Sequence, residues 1–458
     1  MERVFLVPTG DTLLPPPVPI PHAFDRLNDF TTQLLHEVKP AVPSTYSEFL
    51  GLYAGDRRQK AYATAVESLK LDPVKEKDSF ISAFGKAEKF TKEDPAMRLI
   101  QPRSLRYNTE VGRYLKRLEK QVYKDIAKVF KEVTVLKGYN ATDTATILKR
   151  KWDRFKNPIA IGTDASRFDQ HVSVQALKWE HSVYLKYFYP SDRNKLRELL
   201  SWQLVNRGIA KATDGHIKYK VDGCRMSGDM NTSLGNCLLM CAMFYAYLKH
   251  IGVDAELANN GDDCIIICEK REFAKLSSLP TWFREMGFTM KVEDPVDVFE
   301  EIQFCQTQPI YLGDDGWIMC RDVRVALAKD ASTFLPIDRK QVYYQYLKSI
   351  GDCGLSLTGG IPIFQEFYLT FLRYGANKGI GKHPAMETGF ARLAHGMSRV
   401  AVHITDETRI SFWKAFGILP STQILLENKI SQANLTYNVP IHRENIPEFS
   451  LIISNDYF

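Results

Sequence analysis

Hydrophobic and polar positions along the chain switch between a strand-like and a helix-like period. Residues 158–163 and 264–268 are short, mostly apolar runs rich in β-branched side chains, a composition that predicts two buried strands. Residues 217–222 and 288–293 alternate between apolar and polar side chains, which predicts strands with one exposed face. The first alternating strand is expected to belong to a hairpin over residues 205–222.

Apolar residues recur at three- and four-residue steps from residue 111 to residue 133, which predicts an amphipathic helix. Its opposite face is basic and carries Lys116, Arg117, Lys120, Lys124, Lys128 and Lys131. Such a face either lines a path for nucleic acid or is solvated, and the pattern does not separate the two. Further helices are predicted over residues 234–250, 342–347 and 364–374, and a capped helix is predicted near Thr405.

The most distinctive stretch is Asn259-Asn260-Gly261-Asp262-Asp263, which directly precedes the apolar run 264–268. Asn-Gly is a strong signal for a tight turn, so the two aspartates are expected at the tip of a buried hairpin. Adjacent carboxylates repel each other and are costly to bury, which indicates that a cation normally lies there. Mg²⁺ or Mn²⁺ fits, because hard divalent ions prefer carboxylate oxygens. Gly-Asp-Asp is also ordinary turn chemistry, so a solvated turn is the alternative.

The same tripeptide occurs a second time as Gly313-Asp314-Asp315, followed by Gly316. It separates two apolar segments and is expected to form a plain four-residue hairpin connection whose carboxylates face water. The tripeptide alone therefore does not define a functional site, and its partners have to be sought elsewhere in the chain.

Asp164 is the candidate partner of the first tripeptide. It follows the run 158–163 and is expected at the carboxyl edge of that strand, with Asp169 at the start of the next helix. With one carboxylate on each of two neighbouring strands, a two-ion site can clamp the attacking and leaving oxygens of an in-line phosphoryl displacement.

A loop with hydroxyl and amide groups lies between these aspartates in the sequence. Ser227, Thr232 and Asn236 are four or five residues apart around the start of a predicted helix, a spacing that keeps them close together. They could present polar groups to a sugar, and they are equally compatible with a capped helix start.

Composition and charge narrow the class of protein. The 458 residues are 45% hydrophobic with a net charge of +6, typical of a globular chain with a mild preference for anionic partners. Basic residues interleaved with aromatic ones between residues 57 and 106 suit a phosphate-lined path, and a solvated face explains them equally well. The cysteines lie mostly inside apolar runs, which indicates buried thiols in a reducing compartment. The longest apolar run, residues 237–248, is too short for a transmembrane helix, and no signal peptide is expected.

The first 22 residues are rich in proline and include Pro15-Pro16-Pro17. This composition predicts an extended, polyproline-like arm laid over the body of the protein, with a ligand for an aromatic groove as the less favoured alternative.

Taken in order, these motifs resemble the palm of viral RNA-dependent RNA polymerases. The ordered set is Asp164-x4-Asp169, Ser227-Gly-x3-Thr232-x3-Asn236, Gly261-Asp262-Asp263 and Lys291. More narrowly, the sequences that begin at Asp164, Ser227 and Asn259 are similar to those of the tombusvirus-like plant polymerases, the carmovirus and luteovirus relatives, which are in turn similar to flaviviral ones. The match runs from Lys86 to the region after Gly316, and residues 404–426 show a weaker thumb resemblance.

The resemblance implies an α+β, right-hand polymerase with fingers, a palm of antiparallel sheet flanked by helices, and a mostly helical thumb. The implied divisions are residues 1–157 for an N-terminal arm and fingers, 158–171 for the first part of the palm, 172–226 for a fingers insertion, 227–320 for the second part of the palm and 321–458 for the thumb.

The resemblance also implies roles for single residues. Asp164 and Asp262 would bind two metal ions, Mg²⁺ or Mn²⁺, with Asp263 assisting, and Lys291 would be the acid for departing pyrophosphate. The residues that would check the ribose hydroxyls are Asp169, Ser227, Thr232 and Asn236. Those that would hold the triphosphate are Lys86, Lys89, Arg98 and Arg103.

The implied function is RNA-directed RNA synthesis from NTPs on an RNA template, in replication of a positive-strand viral genome. Many members of the family carry a membrane-bound N-terminal region, and the chain shows none. A separate viral or host membrane-anchoring replication protein is therefore expected, with the polymerase in the host cytoplasm at membrane-associated replication complexes. A reverse transcriptase is one alternative. Asp169 and Asn236, which would check the ribose hydroxyls, argue against it. A non-catalytic RNA-binding protein is the other, and only charge supports it.

Overall fold

The computed structural model describes residues 2–10, 12–56, 58–86, 88, 96–212, 214–333, 337–377 and 390–437. The strands are β1 (Val7–Thr9), β2 (Thr12–Leu14), β3 (Ile81–Gly85), β4 (Leu99–Ile100), β5 (Pro158–Ala165), β6 (Val205–Ala212), β7 (Gly215–Asp222), β8 (Ala255–Asn260), β9 (Asp263–Glu269), β10 (Met290–Val292), β11 (Thr307–Tyr311) and β12 (Trp317–Arg321).

The helices are more numerous than the strands, and the protein is a mixed α+β structure, as predicted. They are α1 (Asn28–Leu34), α2 (Tyr46–Gly51), α3 (Arg58–Leu71), α4 (Leu105–Phe130), α5 (Ala141–Trp152), α6 (Phe168–His171), α7 (Val174–Lys186), α8 (Pro190–Ser201), α9 (Thr232–Ile251), α10 (Leu279–Glu285), α11 (Val323–Asp330), α12 (Lys340–Thr358), α13 (Phe364–Tyr374), α14 (Phe390–Leu393), α15 (Asp406–Phe416) and α16 (Pro420–Ser431).

The chain folds into two compact units. The first contains Met1–Lys137 and Ile161–Asp294, and the second contains Gly138–Ala160 and the described residues that follow Asp294. The finer division into fingers, palm and thumb stays a prediction.

The sheet that carries the central motifs lies mostly in the first unit, with strand order β10-β5-β9-β8. β8 and β9 form an antiparallel hairpin, and β10 runs antiparallel to β5. Residues 264–268 of β9 are completely buried, which confirms the predicted strand. Helix α9 packs against β8 and is buried along most of its length, because its sequence is apolar on every side.

A second sheet of the first unit has strand order β4-β3-β6-β7. β6 and β7 form the predicted hairpin, and β3 lies parallel to β6. β3 and β4 pair antiparallel, which brings Lys86 beside Arg98. Consistent with this pairing, the Lys86 N–H donates to the Arg98 carbonyl at 2.8 Å.

The predicted amphipathic helix is α4. The hydroxyl of Ser104 caps its first turn by accepting a hydrogen bond from the Tyr107 N–H at 3.2 Å, and Lys131 ends it in the left-handed conformation. The apolar face is buried from Val111 to Ile126. The basic face is partly neutralised by ion pairs, which join Lys116 to Glu119, Arg117 to Glu48 and Lys128 to Asp125.

The proline-rich arm packs on other parts of the first unit, but Val7–Thr9 and Thr12–Leu14 pair as the β1–β2 hairpin, which the prediction of an extended, polyproline-like arm did not include. After the β1–β2 hairpin, the Ile20 N–H donates to the Glu285 carbonyl at 2.9 Å. The ring of Pro19 lies so close to Gly287 that a Cβ at that position would be 2.8 Å from it. The arm is therefore packed against the end of α10 and the turn that follows it.

The second unit is built on the β11–β12 hairpin and the helices that follow it. Its core contains Ile310, Ile318, Phe364, Tyr368 and Phe412, contributed by β11, β12, α13 and α15. The helix predicted over residues 364–374 is α13, and Thr405 caps α15 by accepting from the Thr408 N–H at 3.2 Å. These expectations are confirmed.

The cysteines are all free thiols, six of them buried and two half-buried. Burial of these thiols in apolar surroundings is what their positions in the sequence predicted. Among the described residues, no helix is both long and apolar enough to cross a membrane.

Candidate active site

Asp262 lies at the tip of the β8–β9 hairpin. The last paired residues are Asn260 and Asp263, so Gly261 and Asp262 form the turn. Gly261 has a φ of +89°, a conformation that favours glycine because a Cβ would be strained there. The Asn-Gly signal located the turn to within one residue, since Asn260 still belongs to the strand pairing.

The turn is held in shape by the side chain of Asn259, which is completely buried. Its amide nitrogen donates to the Gly261 carbonyl at 2.7 Å, and its amide oxygen accepts from the Gly261 N–H at 3.2 Å. A single buried side chain therefore occupies both backbone polar groups of Gly261.

Asp164 lies on the strand next to this hairpin. It is the second-last residue of β5, and β5 is adjacent to β9 in the sheet. The Thr163 hydroxyl reaches across to the Cys264 carbonyl at 3.3 Å. Burial raises the pKa of Asp164, the negative charge of Asp262 raises it further, and Lys291 lowers it. Asp262 is thus close enough for its charge to oppose the ionisation of Asp164.

This pair suits a divalent ion that also binds other groups. Within the described residues, no three His, Cys, Asp or Glu side chains gather in a way that could hold a metal unaided. Mg²⁺ is commonly bound by only one or two carboxylates, with water and substrate phosphates completing the shell. Asp164 and Asp262 supply two such carboxylates, and Asp263 is half-buried at the first position of β9.

Asp169 and Asn236 form a hydrogen-bonded pair beside these aspartates. The Asn236 amide nitrogen donates to Asp169 Oδ1 at 2.8 Å, joining α6 to the first turns of α9. Burial raises the pKa of Asp169 to about 6, against the lowering effects of the Asn236 hydrogen bond and the Arg225 charge. Two residues grouped on family resemblance alone are therefore in direct contact.

Ser227 and Thr232, predicted in the same group, bind backbone instead. The Ser227 hydroxyl accepts from the Gln101 N–H at 3.0 Å, while its side chain stays exposed. The Thr232 hydroxyl donates to the Met226 carbonyl at 2.8 Å. Both contacts stabilise the loop that precedes α9.

That loop lies tightly against the strand end before α4. A Cβ on Gly228 would be 2.4 Å from the Pro102 Cα, so only glycine allows the two backbones to approach this closely.

Lys86 and Arg98, predicted to hold a triphosphate, are exposed neighbours at the ends of β3 and β4. Both approach Glu88: the Lys86 ammonium forms an ion pair with it, and the Arg98 Nε lies 3.6 Å from its carboxylate. Lys89 lies outside the described residues.

Arg103 differs from the other members of its predicted group because its side chain is buried, at 2% exposure. Its guanidinium forms an ion pair with Asp229 and donates to the Ser79 carbonyl at 2.7 Å and to Asn206 Oδ1 at 2.5 Å. In this structure Arg103 therefore stabilises the loop before α9 from within, and does not present its charge at the surface.

Lys291 lies on β10 directly opposite Asp164 on β5. Directly opposed residues of an antiparallel pair project from the same face, so the exposed Lys291 side chain and Asp164 share one face of the sheet. Burial raises the pKa of Glu293, and the positive charge of Lys291 offsets part of this increase.

Two charged residues near the turn, Lys137 and Arg225, belong to no motif in the sequence. Sequence analysis therefore did not identify them. The backbone before Lys137 adds to the edge of β8, where the Leu136 N–H donates to the Asn259 carbonyl at 2.8 Å. This brings the exposed Lys137 ammonium within 3.8 Å of where a Cβ on Gly261 would lie. Arg225, completely buried, donates from Nε to the Asn236 amide oxygen at 3.0 Å. The Lys137 contact depends on residues distant in the chain, whereas Arg225 and Asn236 are only eleven positions apart.

A third such residue is Arg167, which lies between Asp164 and Asp169 with a φ of +50°. Its guanidinium forms an ion pair with Glu2 at 3.1 Å and donates to the Glu2 and Leu6 carbonyls. The Gln170 amide also donates to the Leu6 carbonyl, at 2.9 Å. The N-terminal arm therefore binds the segment that joins the two aspartates.

The second Gly-Asp-Asp belongs to the second unit and has a different structure. Gly313–Asp315 form a short 3₁₀ turn between β11 and β12, so the connection is longer than the four residues predicted. Asp315 forms an ion pair with Arg399 at 2.8 Å while its side chain remains 58% exposed.

Comparison with known proteins identifies the family. A sequence profile of the family described as viral RNA dependent RNA polymerase matches residues 1–438. The chain therefore belongs to the viral RNA-dependent RNA polymerase family.

Curated relatives are proteins named RNA-directed RNA polymerase. Those of Tobacco necrosis virus (strain A), Melon necrotic spot virus and Cymbidium ringspot virus are 46%, 44% and 44% identical to the chain. The matches cover 93%, 93% and 94% of this chain, and 59%, 55% and 52% of the relatives. The chain thus spans a little over half the length of these proteins. The resemblance to tombusvirus-like polymerases is confirmed.

Proposed function

We propose that the chain carries the catalytic site of a viral RNA-directed RNA polymerase, which joins nucleotides from NTPs to an RNA 3′ end as a template directs. The observation that carries the proposal is the convergence of Asp164, on β5, with Asp262, in the turn that precedes the neighbouring strand β9, next to the Asp169–Asn236 pair. Family membership over residues 1–438 supports the same activity.

Asp164 and Asp262, assisted by Asp263, would hold two divalent ions, Mg²⁺ or Mn²⁺. Such ions, when bound, neutralise charge on the attacking and leaving oxygens of an in-line phosphoryl transfer. The raised pKa of Asp164 supports this assignment, because its two largest causes, burial and the charge of Asp262, are both offset by a bound cation.

Asp169 and Asn236 would recognise the ribose of the incoming nucleotide. They hold each other at 2.8 Å, and a site built to hydrogen-bond a hydroxyl rejects an analogue that lacks it. Ser227 has an exposed side chain and can contribute to the same surface, whereas Thr232 would act by holding the loop.

Lys86, Lys89 and Arg98 would bind the triphosphate. Lys86 and Arg98 are exposed and share Glu88, a contact that phosphate oxygens could replace. Arg103 would support the loop without touching the nucleotide. Lys291, on the same face as Asp164, would donate the proton taken up by pyrophosphate as it leaves.

The wider organisation is proposed on family grounds. The chain would have fingers, palm and thumb, would bind RNA template and product, and would replicate a positive-strand genome. It would act in the host cytoplasm at membrane-associated replication complexes, to which a separate viral or host replication protein would tether it.

The test uses the full chain, an RNA template and labelled nucleotides, with and without Mg²⁺. The proposal predicts metal-dependent, template-complementary incorporation of ribonucleotides, preferred over deoxynucleotides. Preferred incorporation of deoxynucleotides would indicate a reverse transcriptase instead. RNA binding without incorporation, in folded protein with either ion, would indicate a non-catalytic RNA-binding protein.

A further inference from the structure

A buried ion pair lies directly behind Asn236. Arg225 and Glu180 are both completely inaccessible, and the Arg225 Nη1 donates to Glu180 Oε1 at 2.9 Å. Glu180 also accepts from the Tyr184 hydroxyl at 2.8 Å and from the Asn231 amide at 3.0 Å. With these partners in place, the guanidinium is held in one orientation.

The fixed orientation of the Arg225 guanidinium determines the orientation of the Asn236 amide. A carboxamide has a donor end and an acceptor end of nearly the same shape, so its neighbours decide which way it faces. Guanidinium can only donate, and the Arg225 Nε lies 3.0 Å from the amide oxygen of Asn236. The amide oxygen is therefore fixed towards Arg225, and the NH₂ group is fixed towards Asp169 at 2.8 Å.

The opposite orientation is disfavoured on both sides. It would bring an NH₂ group against a guanidinium and a carbonyl oxygen against the Asp169 oxygens, and each contact would leave a buried polar group without a partner. Arg225 thus defines the polarity of the surface that Asn236 and Asp169 present.

We propose that Arg225 and Glu180 are positioning residues for sugar selection, which fix the orientation of the Asn236 amide so that the Asp169–Asn236 pair can discriminate ribose from deoxyribose. This inference rests on the proposed polymerase function. Neither residue touches the nucleotide; Arg225 acts through Asn236, and Glu180 acts through Arg225.

The molecule contains a matched control in Arg103 and Asp229. They form a second buried ion pair, which stabilises the same loop. The hydrogen bonds of Arg103 go to Asp229, Ser79 and Asn206, and none of them is to Asn236 or Asp169. Changes at this pair should disturb stability to a similar degree without reorienting the Asn236 amide.

The experiment compares Arg225→Lys with Arg103→Lys. The kcat/KM for a ribonucleotide and for the matching deoxynucleotide is measured for each variant, together with Tm. Arg225→Lys should reduce the ribose preference by about tenfold, the equivalent of one hydrogen bond. A lysine ammonium paired with Glu180 lacks the second arm of the guanidinium, the Nε–H that donates to the Asn236 amide oxygen. Arg103→Lys should lower Tm comparably and leave the preference within about twofold.

A second pair of variants covers the case in which a single change prevents folding. Glu180→Gln with Arg225→Gln removes both buried charges together and leaves an amide at position 225 that can donate or accept, so the Asn236 orientation is no longer dictated. Arg103→Gln with Asp229→Asn is its control. The ribose preference should fall only in the first double variant.

An equal ribose preference in the Arg225 and Arg103 variants, whether both are unchanged or both are reduced, would overturn the positioning role. RNA synthesis by the wild-type protein would in that case still support the polymerase proposal. Absence of nucleotide incorporation by the wild-type protein would overturn the polymerase proposal itself, and this inference with it.

Discussion

The two Gly-Asp-Asp tripeptides have the same sequence and different surroundings. The first closes a two-residue turn between β8 and β9, with Asn259 bonded to both backbone polar groups of its glycine. The second forms a 3₁₀ turn in a longer connection, with Asp315 paired to Arg399.

The difference shows that the elements around a motif define a site. Asp262 gains its proposed role because β5 brings Asp164 alongside it, close enough for the charge of Asp262 to raise the pKa of Asp164. Asp315 already has a counter-ion in Arg399 and is largely exposed. The predictions below compare the two copies, beginning with the largest expected effect.

The largest difference is expected between Asp262→Ala and Asp314→Ala. Removing Asp262 deletes a metal ligand and should lower single-turnover nucleotide addition by at least about a thousandfold. Asp314→Ala should keep most of the activity, because a turn carboxylate supports no charge in the transition state. Comparable losses from the two changes, in protein shown to be folded by circular dichroism, would contradict the assignment.

The cations beside the two copies provide the next comparison. Lys291→Arg keeps a positive charge opposite Asp164 but cannot release its proton at working pH. It should slow single-turnover addition with little change in nucleotide affinity, and should flatten the high-pH limb of the pH–rate profile. Arg399→Lys should leave that profile unchanged. If Lys291→Arg restores the wild-type rate at every pH, Lys291 contributes charge alone.

The carboxylates near the two copies should differ in how they link stability to pH. Burial raises the pKa of Asp169 from its ordinary value of 3.8 to about 6, so the folded protein binds more protons than the unfolded chain between those values. The contribution of protonated Asp169 to the free energy of unfolding is therefore fully present below pH 4, and it is lost as pH rises to about 6. Asp169→Asn should reduce that loss by a few kcal/mol, measured by denaturant unfolding in metal-free buffer.

Asp315→Asn is the matched control for this effect. It removes an exposed ion pair and should change stability by less than about 1 kcal/mol. An Asp169→Asn protein whose stability falls between pH 4 and 6 as steeply as that of the wild type would show that Asp169 is not the group responsible.

The smallest expected effect comes from the glycines. Gly261 and Gly313 have φ values of +89° and +64°, and a Cβ at either would meet no atom closer than 3.8 Å. Alanine should therefore cost both sites about 1–2 kcal/mol of backbone strain. Only Gly261→Ala should also lower kcat. Equal kcat in the two variants would show that the first turn tolerates distortion.

Local patterns predicted the elements well, because their causes are local. Residues 364–374 correspond to α13, and the cap at Thr405 follows from its neighbours in sequence. The approach of Asp164 to Asp262 was also predictable, because each aspartate lies at the end of a predicted buried strand. The second connection was predicted too short, because the 3₁₀ turn that extends it has no distinctive residue pattern.

What the sequence did not reveal depends on distant residues. Arg103 reads as an exposed phosphate ligand, yet Asp229 and Asn206, more than a hundred positions away, enclose it. Lys137 likewise reaches the site only through tertiary packing, and the orientation of Arg225 depends on Glu180, forty-five positions earlier. No local pattern distinguishes a guanidinium that binds substrate from one that holds a loop.

The hydrogen bonds between Arg167 and the first residues of the chain give the amino end an influence on the site. Glu2 and Leu6 hold the segment that separates Asp164 from Asp169, so its conformation depends on a peptide more than 150 positions earlier. A change at Glu2 or Leu6 would therefore act on the site from a distance, by loosening the segment between the two aspartates. It would do so without altering any residue proposed for catalysis.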